Sequence, residues 1–217
     1  MREYFGDAIA ERCSVVHNAI DFGRLEGGTP GNAGPAGAHR YILSVCHQFP
    51  HKNVTTLLDA FARVARRDPA LHLYLVGSAS EANRAFVSSA LPEAVRDRVH
   101  LTGFVSDADL GQLYARAEIF VLPSLYEGFG MPAVEALGMG VPTLVSNAYA
   151  LPEVTLGYAG LIDDPLDADA WAGKIEATIA SGNRPTTEQV AHVRATYHPT
   201  TIAKTLLLAM ESHATAG

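Results

Sequence analysis

Cysteine is scarce in this chain. Cys13 and Cys46 are the two in 217 residues, and they provide neither a disulfide framework nor a metal-binding pattern. A reducing cytoplasm is the expected setting. No apolar run approaches twenty residues, and no cationic segment precedes a signal-like core, so neither a spanning helix nor a secretory leader is expected. Peripheral membrane contact stays compatible with that. Positive charge is also short: 16 Lys and Arg stand against 23 Asp and Glu, a net charge of −7. That balance argues against nucleic acid as the main partner. A nicotinamide-binding fingerprint would need Gly-x-Gly-x-x-Gly in a strand-to-helix turn, and neither CHQFPHKN nor GSASEAN supplies it. A Walker-type glycine loop is missing too, which removes the best support for dehydrogenase and ordinary nucleotide hydrolase readings. No internal repeat is visible.

Apolar residues are plentiful at 48%, enough for one large or two small cores, and a single domain is the expected arrangement. Runs at 41–45, 71–76, 99–102, 119–122, up to Val145 and at 159–162 read as strands, and CSVVHNAIDF as a further short one. Helical periodicity falls between them. In 53–67, Leu57, Leu58, Phe61, Val64 and Ala65 share one face; in 107–117, Leu110, Leu113 and Tyr114 do. Further helices are expected at 82–90, from Asp167 to a stop at Gly182 (with Trp171, Ile175 and Ile179 on one face), at 186–197, and at 199–212 bearing Ile202, Leu206 and Met210. Ser106 with Asp109 makes an imperfect capping box. Residues 1–12 have moderate helical character, and residues 25–39, rich in Gly, Pro and Ala, predict a mobile loop. Strands alternating with helices predict an α/β fold, a single Rossmann-like doubly wound parallel sheet with extra C-terminal helices. Ligands in such sheets bind beyond the strands' C-terminal ends.

The organising stretch is LPSLYEGFGMPAVEALGMGVPTLV, residues 122–145. It reads as a strand end, a turn punctuated by Gly128 and Gly130, a short helix opened by Pro132, and another strand. Glycines let the backbone approach a ligand, and the N–H groups of a helix start suit an anion. Glu127 and Glu135, with seven residues between them, bracket the turn. Side chains on a helix lean toward its N-terminus, so both carboxylates are expected to address one small volume. An ionised Glu only accepts hydrogen bonds, which suits hydroxyls. Either glutamate alone is commonly just solvated, and Gly-x-Gly alone is a common turn. The combination, with strands on both sides, points to a sugar nucleotide.

The stretch PSLYEGFGMPAVEALGMGVPTLVSN, followed by LPEV at 151–154, resembles the donor-binding signature of retaining GT-B glycosyltransferases of family four. The resemblance runs from about Cys13 to the C-terminus. It implies residues 1–40 as the remnant of an N-terminal domain, a linker and a flexible Gly/Pro loop, and 41–217 as a nucleotide-sugar donor-binding domain. Glu127 would contact the donor sugar, Glu135 the ribose hydroxyls, and Gly128, Phe129, Gly130 and Met131 the phosphates and sugar. Gly103, Phe104 and Val105 resemble the loop beside the nucleobase. In CHQFPHKN the family commonly places an Arg and, five residues on, a phosphate-holding Lys; Lys52 matches the Lys, and His47 stands where the Arg usually is. A neutral His offers one donor where Arg offers a charged fork. Glu153 in LPE either belongs to the site or only caps the next helix.

Lys52 and Glu127 are thus the expected catalytic pair, and His47, Gly103, Phe104, Val105, Gly128, Phe129, Gly130, Met131 and Glu135 the expected binding residues. The resemblance implies hexosyl transfer from a UDP-sugar or GDP-sugar to a glycan, lipid or small molecule, with an acceptor-binding half possible in another chain. No cofactor or metal is expected. His47 and His51 are four apart, but Pro50 opposes a continuous helix and no carboxylate or cysteine completes a set. The alternatives are a non-catalytic nucleotide-sugar binding or regulatory subunit and, further off, a sugar-nucleotide epimerase.

Overall fold

The structure, a computed structural model, describes Gly6 and residues 13–27, 39–45 and 50–214. Its centre is a six-stranded sheet: β1 (Arg40–Val45), β2 (Leu71–Val76), β3 (Val99–Gly103), β4 (Ile119–Leu122), β5 (Thr143–Ser146) and β6 (Gly160–Ile162). The spatial order is β3-β2-β1-β4-β5-β6, and every pairing is parallel. From β1 the chain winds outward to β3, then returns to the other side of β1 with β4. The crevice between β1 and β4 is the switch point at which such sheets bind ligands.

Helices cover both faces, as an all-parallel sheet requires. Among the described residues one helical turn, α1 (Gly23–Glu26), precedes the sheet. Then follow α2 (Val54–Arg67), α3 (Glu81–Ala90), α4 (Glu93–Arg96), α5 (Asp107–Arg116), α6 (Met131–Gly138), α7 (Leu151–Val154), α8 (Ala168–Ser181), α9 (Thr187–Thr196) and α10 (Pro199–Ala214). Strand alternation sorts the core into two layers. Ile42, Leu73, Ile119, Val121 and Leu144 pack with Leu57, Leu58 and Phe61 of α2 and with Trp171 and Ile175 of α8. On the other face Tyr41, Leu43, Tyr74, Phe120, Leu122 and Val145 pack with α5 and α6. Trp171 is fully buried, and its indole N–H donates to the Pro165 carbonyl at 3.0 Å.

Local signals act where the sequence puts them. Ser106 caps α5 by accepting from the Asp109 N–H, and its own hydroxyl donates to the Asp109 carboxylate, so the box closes on the side chain. Thr186 and Gln189 form a full capping box, and Gly182 ends α8 in the left-handed region.

Two expectations need correction. CSVVHNAIDF is not a strand: its residues join no ladder, and the Ile20 N–H donates instead to the Tyr197 carbonyl at 2.8 Å. The segment runs over the helical layer, where Ile20 and Phe22 share a small core with Phe129, Val134, Val193 and Tyr197. The predicted loop at 25–39 does not begin at Leu25, which lies in α1 and is buried against α5, because one turn of helix lets an isolated leucine reach the core. The rest of that loop (28–38), most of the predicted helix at 1–12 and His47 lie outside the described residues. At the other end, Leu206, Leu207, Leu208 and Met210 on α10 are exposed.

Candidate functional site

Just ahead of α2 the chain makes a 3-10 turn, Pro50–Lys52, and then Asn53 adopts the left-handed conformation at φ 52°. Asn is among the residues that tolerate this region. The Asn53 side chain is buried and fully used. Its Nδ2 donates to the carbonyls of Pro123 at 3.1 Å and Pro165 at 2.7 Å, and its Oδ1 accepts from Thr56 at 2.7 Å. The Leu125 N–H donates to the His51 carbonyl at 2.7 Å. These bonds fasten the loop after β1 to the loops after β4 and β6.

Lys52 is thereby held over the β1/β4 crevice. Its Nζ donates to Glu127 Oε1 at 2.6 Å, and Ser124 Oγ donates to the same oxygen at 2.7 Å. Both side chains are largely sheltered, with 19% of the lysine and 11% of the glutamate exposed, so the pair is screened less than a surface ion pair. Three positions on, Gly130 caps α6 with φ 92°, a conformation costly for other residues. A Cβ there would lie 2.5 Å from Leu151 Cδ2. Beside Gly128 nothing lies within 4 Å of where a Cβ would point, so this bend is open to a visitor. Met131 opens the helix half-exposed. Phe129 turns inward against Tyr197, their ring centroids 5.5 Å apart, which leaves its main chain to face the bend.

Glu135, one turn into α6, is 3% exposed. Tyr114 donates to its Oε2 at 3.0 Å, and Arg24 of α1 donates to its Oε1 while also pairing with Asp107. Burial pushes the Glu135 carboxyl above its ordinary range, opposed by the Arg24 guanidinium and the Tyr114 hydroxyl. The Tyr114 hydroxyl is raised well above its usual value by full burial and by the neighbouring carboxylate. Burial alone would lower Arg24, but Glu135 and Asp107 outweigh it and hold the guanidinium charged. Glu127 and Glu135 therefore share no partner: one faces Lys52 at the crevice, and the other is held inside a separate cluster.

The other expected residues follow the C-terminal ends of β3 and β5. Gly103 ends β3 at φ 75°, Phe104 projects with 80% exposure, and Val105 packs partly against the core. Glu153 lies in the first turn of α7, where its carboxylate meets His17 at 2.9 Å. Residue reading did not single out Ser124, Asn53 or Arg24. Ser124 stands three residues before Glu127, a spacing that could have flagged it. Arg24 is 111 positions from its partner, and nothing local points to that pairing. Among the described residues no group of three or more His, Cys, Asp or Glu side chains is placed to hold a metal ion, and no helix is long and apolar enough to cross a membrane.

A family model described as glycosyl transferases group 1 matches residues 32–191. The chain belongs to that family. Among its relatives, the O-antigen chain mannosyltransferase B of Escherichia coli is 36% identical over 136 residues, which span 62% of this chain and 35% of that protein. Among solved structures, sucrose-phosphate synthase of Thermosynechococcus elongatus superposes with a TM-score of 0.67 at 26% identity, covering 93% of this chain and 50% of its own. The Anabaena protein HepE, solved in complex with UDP and glucose, superposes with a TM-score of 0.68 at 22% identity, covering 92% and 57%. The chain thus spans about a third of the curated relative and about half of these solved chains. The sheet and its flanking helices are those of a GT-B glycosyltransferase domain, as the resemblance implied.

Proposed function

We propose that this chain is the donor-binding module of a retaining hexosyltransferase that uses a nucleotide-diphosphate sugar. The observation that carries the reading is the Lys52–Glu127 pair, held at 2.6 Å in the switch-point crevice beside the Gly128 to Gly130 bend. A diphosphate leaving group gains negative charge as the glycosidic bond breaks. Lys52 and the main-chain amides at the start of α6 would favour that transition state over the ground state. This cationic cradle makes metal-independent transfer the expectation. Glu127 accepts from hydroxyls of the donor hexose. Each carboxylate oxygen has two lone-pair directions, so Glu135 keeps acceptor capacity for ribose hydroxyls beside the bonds from Tyr114 and Arg24.

Lys52 bonded to Glu127 is also the resting arrangement from which the diphosphate draws the ammonium. Transfer needs an acceptor held against the anomeric carbon with water excluded, and an acceptor-binding half would supply that. The mannosyltransferase name of one relative favours a mannosyl donor, and the UDP and glucose held by HepE favour UDP and a glucosyl donor; GDP is the other nucleotide to be tried.

Calorimetric titration with UDP- and GDP-hexoses tests the reading. Binding is expected for at least one, and Lys52→Ala should weaken it by about tenfold or more, the scale of one charge-assisted contact. No binding at millimolar concentration, or an unchanged affinity in Lys52→Ala, refutes the assignment. Labelled hexose transferred to a glycan acceptor in the presence of a chelator, with and without a candidate acceptor-binding half, checks turnover, and the anomeric coupling of the product checks retention.

A further inference from the structure

Two exposed tyrosines flank the site without serving the fold. Tyr126, next to Glu127, is 54% exposed, and Tyr149, in the loop between β5 and α7, is 70% exposed. Their ring centroids are 4.6 Å apart at 70°, so the edge of one meets the other. Among the described residues neither hydroxyl has a hydrogen-bond partner. Tyr149 adopts φ 51°, a left-handed conformation that is a genuine outlier for a bulky side chain and one that Gly or Asn would hold with less strain. Strain and an exposed ring are both costs, and the core gains nothing from either. Such outliers gather where a ligand is held.

The place of the pair narrows the ligand. Leu151, two residues beyond Tyr149, packs on the Gly130 bend, and Tyr126 precedes the glutamate of the Lys52 pair, so the loops that carry the two tyrosines border the bend beside the crevice. The loop expected beside the base follows β3, which lies four strand intervals from β5, about 19 Å across the sheet. A base at one end of the site therefore leaves the tyrosines at the opposite, sugar end. Aromatic faces present an apolar body with a polar tip, and that matches a pyranose, whose C–H face is apolar and whose rim is hydroxyl.

We infer that Tyr126 and Tyr149 form a stacking platform for a hexopyranose ring at the sugar end of the crevice. The inference deepens the donor-site reading and rests on it for the orientation of the ligand. The ring comes either from the nucleotide sugar or from a saccharide that receives the transferred hexose.

Saturation-transfer NMR on the intact chain tests this with two probes, α-mannobiose in the presence of UDP or GDP, and the nucleotide sugar itself. Transfer to pyranose C–H protons is expected for one of them, and the probe that responds identifies the source. Tyr149→Gly relieves the positive φ, so its melting temperature should equal or exceed the parent's, and it should cut the transfer roughly fivefold, as should Tyr126→Leu. Affinity for the bare nucleotide diphosphate should stay within about twofold in both variants, because the nucleotide lies elsewhere. Pyranose transfer that is absent from the parent, or unchanged in both variants, overturns the inference. Transfer that is tyrosine-dependent in a parent that binds no nucleotide would support the platform while refuting the donor-site reading.

Discussion

Gly111 on α5 is the position where one methyl group should do the most damage. A Cβ added there would lie 1.8 Å from the carbonyl oxygen of Leu25 and 2.8 Å from its carbonyl carbon, both main-chain atoms of α1 that no rotamer change can move. To restore ordinary contact, α1 has to retreat by about 1.5 Å, and Arg24 goes with it. Alanine in a helix gains about 1 kcal/mol over glycine, while overpacking costs about 1–3 kcal/mol. Loosening the bond from Arg24 to the Glu135 carboxylate adds about 1.5–3 kcal/mol where it is lost outright. The expected net for Gly111→Ala is a destabilisation of about 2 kcal/mol, which for a chain of this size lowers the melting temperature by about 4–8 °C. Gly173→Ala is the control. It sits on the exposed side of α8 with nothing within 4 Å of its added Cβ, so it should stabilise by about 0.5–1 kcal/mol. Thermal unfolding followed by circular dichroism reads both. A Gly111→Ala protein that melts at or above the parent would refute the packing of α1 on α5, and with it the account of how Arg24 reaches Glu135.

Trp171→Ala removes the largest fully buried side chain and the bond to the Pro165 carbonyl; a loss of about 3–5 kcal/mol is expected, seen in a denaturant titration as a lower midpoint with an unchanged slope. A second expectation concerns pH. His72 Nδ1 and His100 Nε2 are hydrogen-bonded at 2.8 Å across β2 and β3, with the His39 ring 4.2 Å from that of His72, and Tyr74 stacked on His100. Burial, then His39, holds both imidazoles below their ordinary value, with His100 and Arg98 adding to the effect on His72. The unfolded chain therefore takes up protons that the fold refuses once pH drops below about 6.5, so this contribution to stability is whole above that value and fades as pH falls through the depressed folded values. His100→Phe should flatten the fall in melting temperature between pH 7.5 and 5.5 relative to the parent, and an identical pH slope in the two proteins would count against the account.

The sheet was legible because its strands are short apolar runs ended by glycine, proline or a capping residue, patterns that depend only on near neighbours. Val54 to Arg67 and Ala168 to Ser181 were equally plain, since each buries one stripe against the sheet. The N-terminal segment misled for a physical reason. Ser14, Val15 and Val16 have strand-like character, but a strand needs a partner edge; Val15 is exposed, and the segment is anchored instead by Ile20 and Phe22, which pack with residues of α6, α7 and α9. The candidate site divides in the same way. Gly130 and Pro132 announce a bend and a helix start, whereas the environment of Glu135 depends on Tyr114, 21 positions away, and on Arg24, 111 positions away. Side-chain direction was the other hidden quantity. Phe129 sits in a glycine-rich turn that suggests exposure, yet its ring fills a gap beside Tyr197 that only the folded chain creates.

Asn53 spends its side chain on three bonds. One amide side chain ties the loop after β1 to the loops after β4 and β6, three strands of which no two are consecutive in sequence, and the ammonium one residue before it inherits its coordinates from all three. Lys52 thus behaves less like the tip of a loop than like a fitting bolted to the frame. A shift at Pro165, far along the chain, would carry that cation with it.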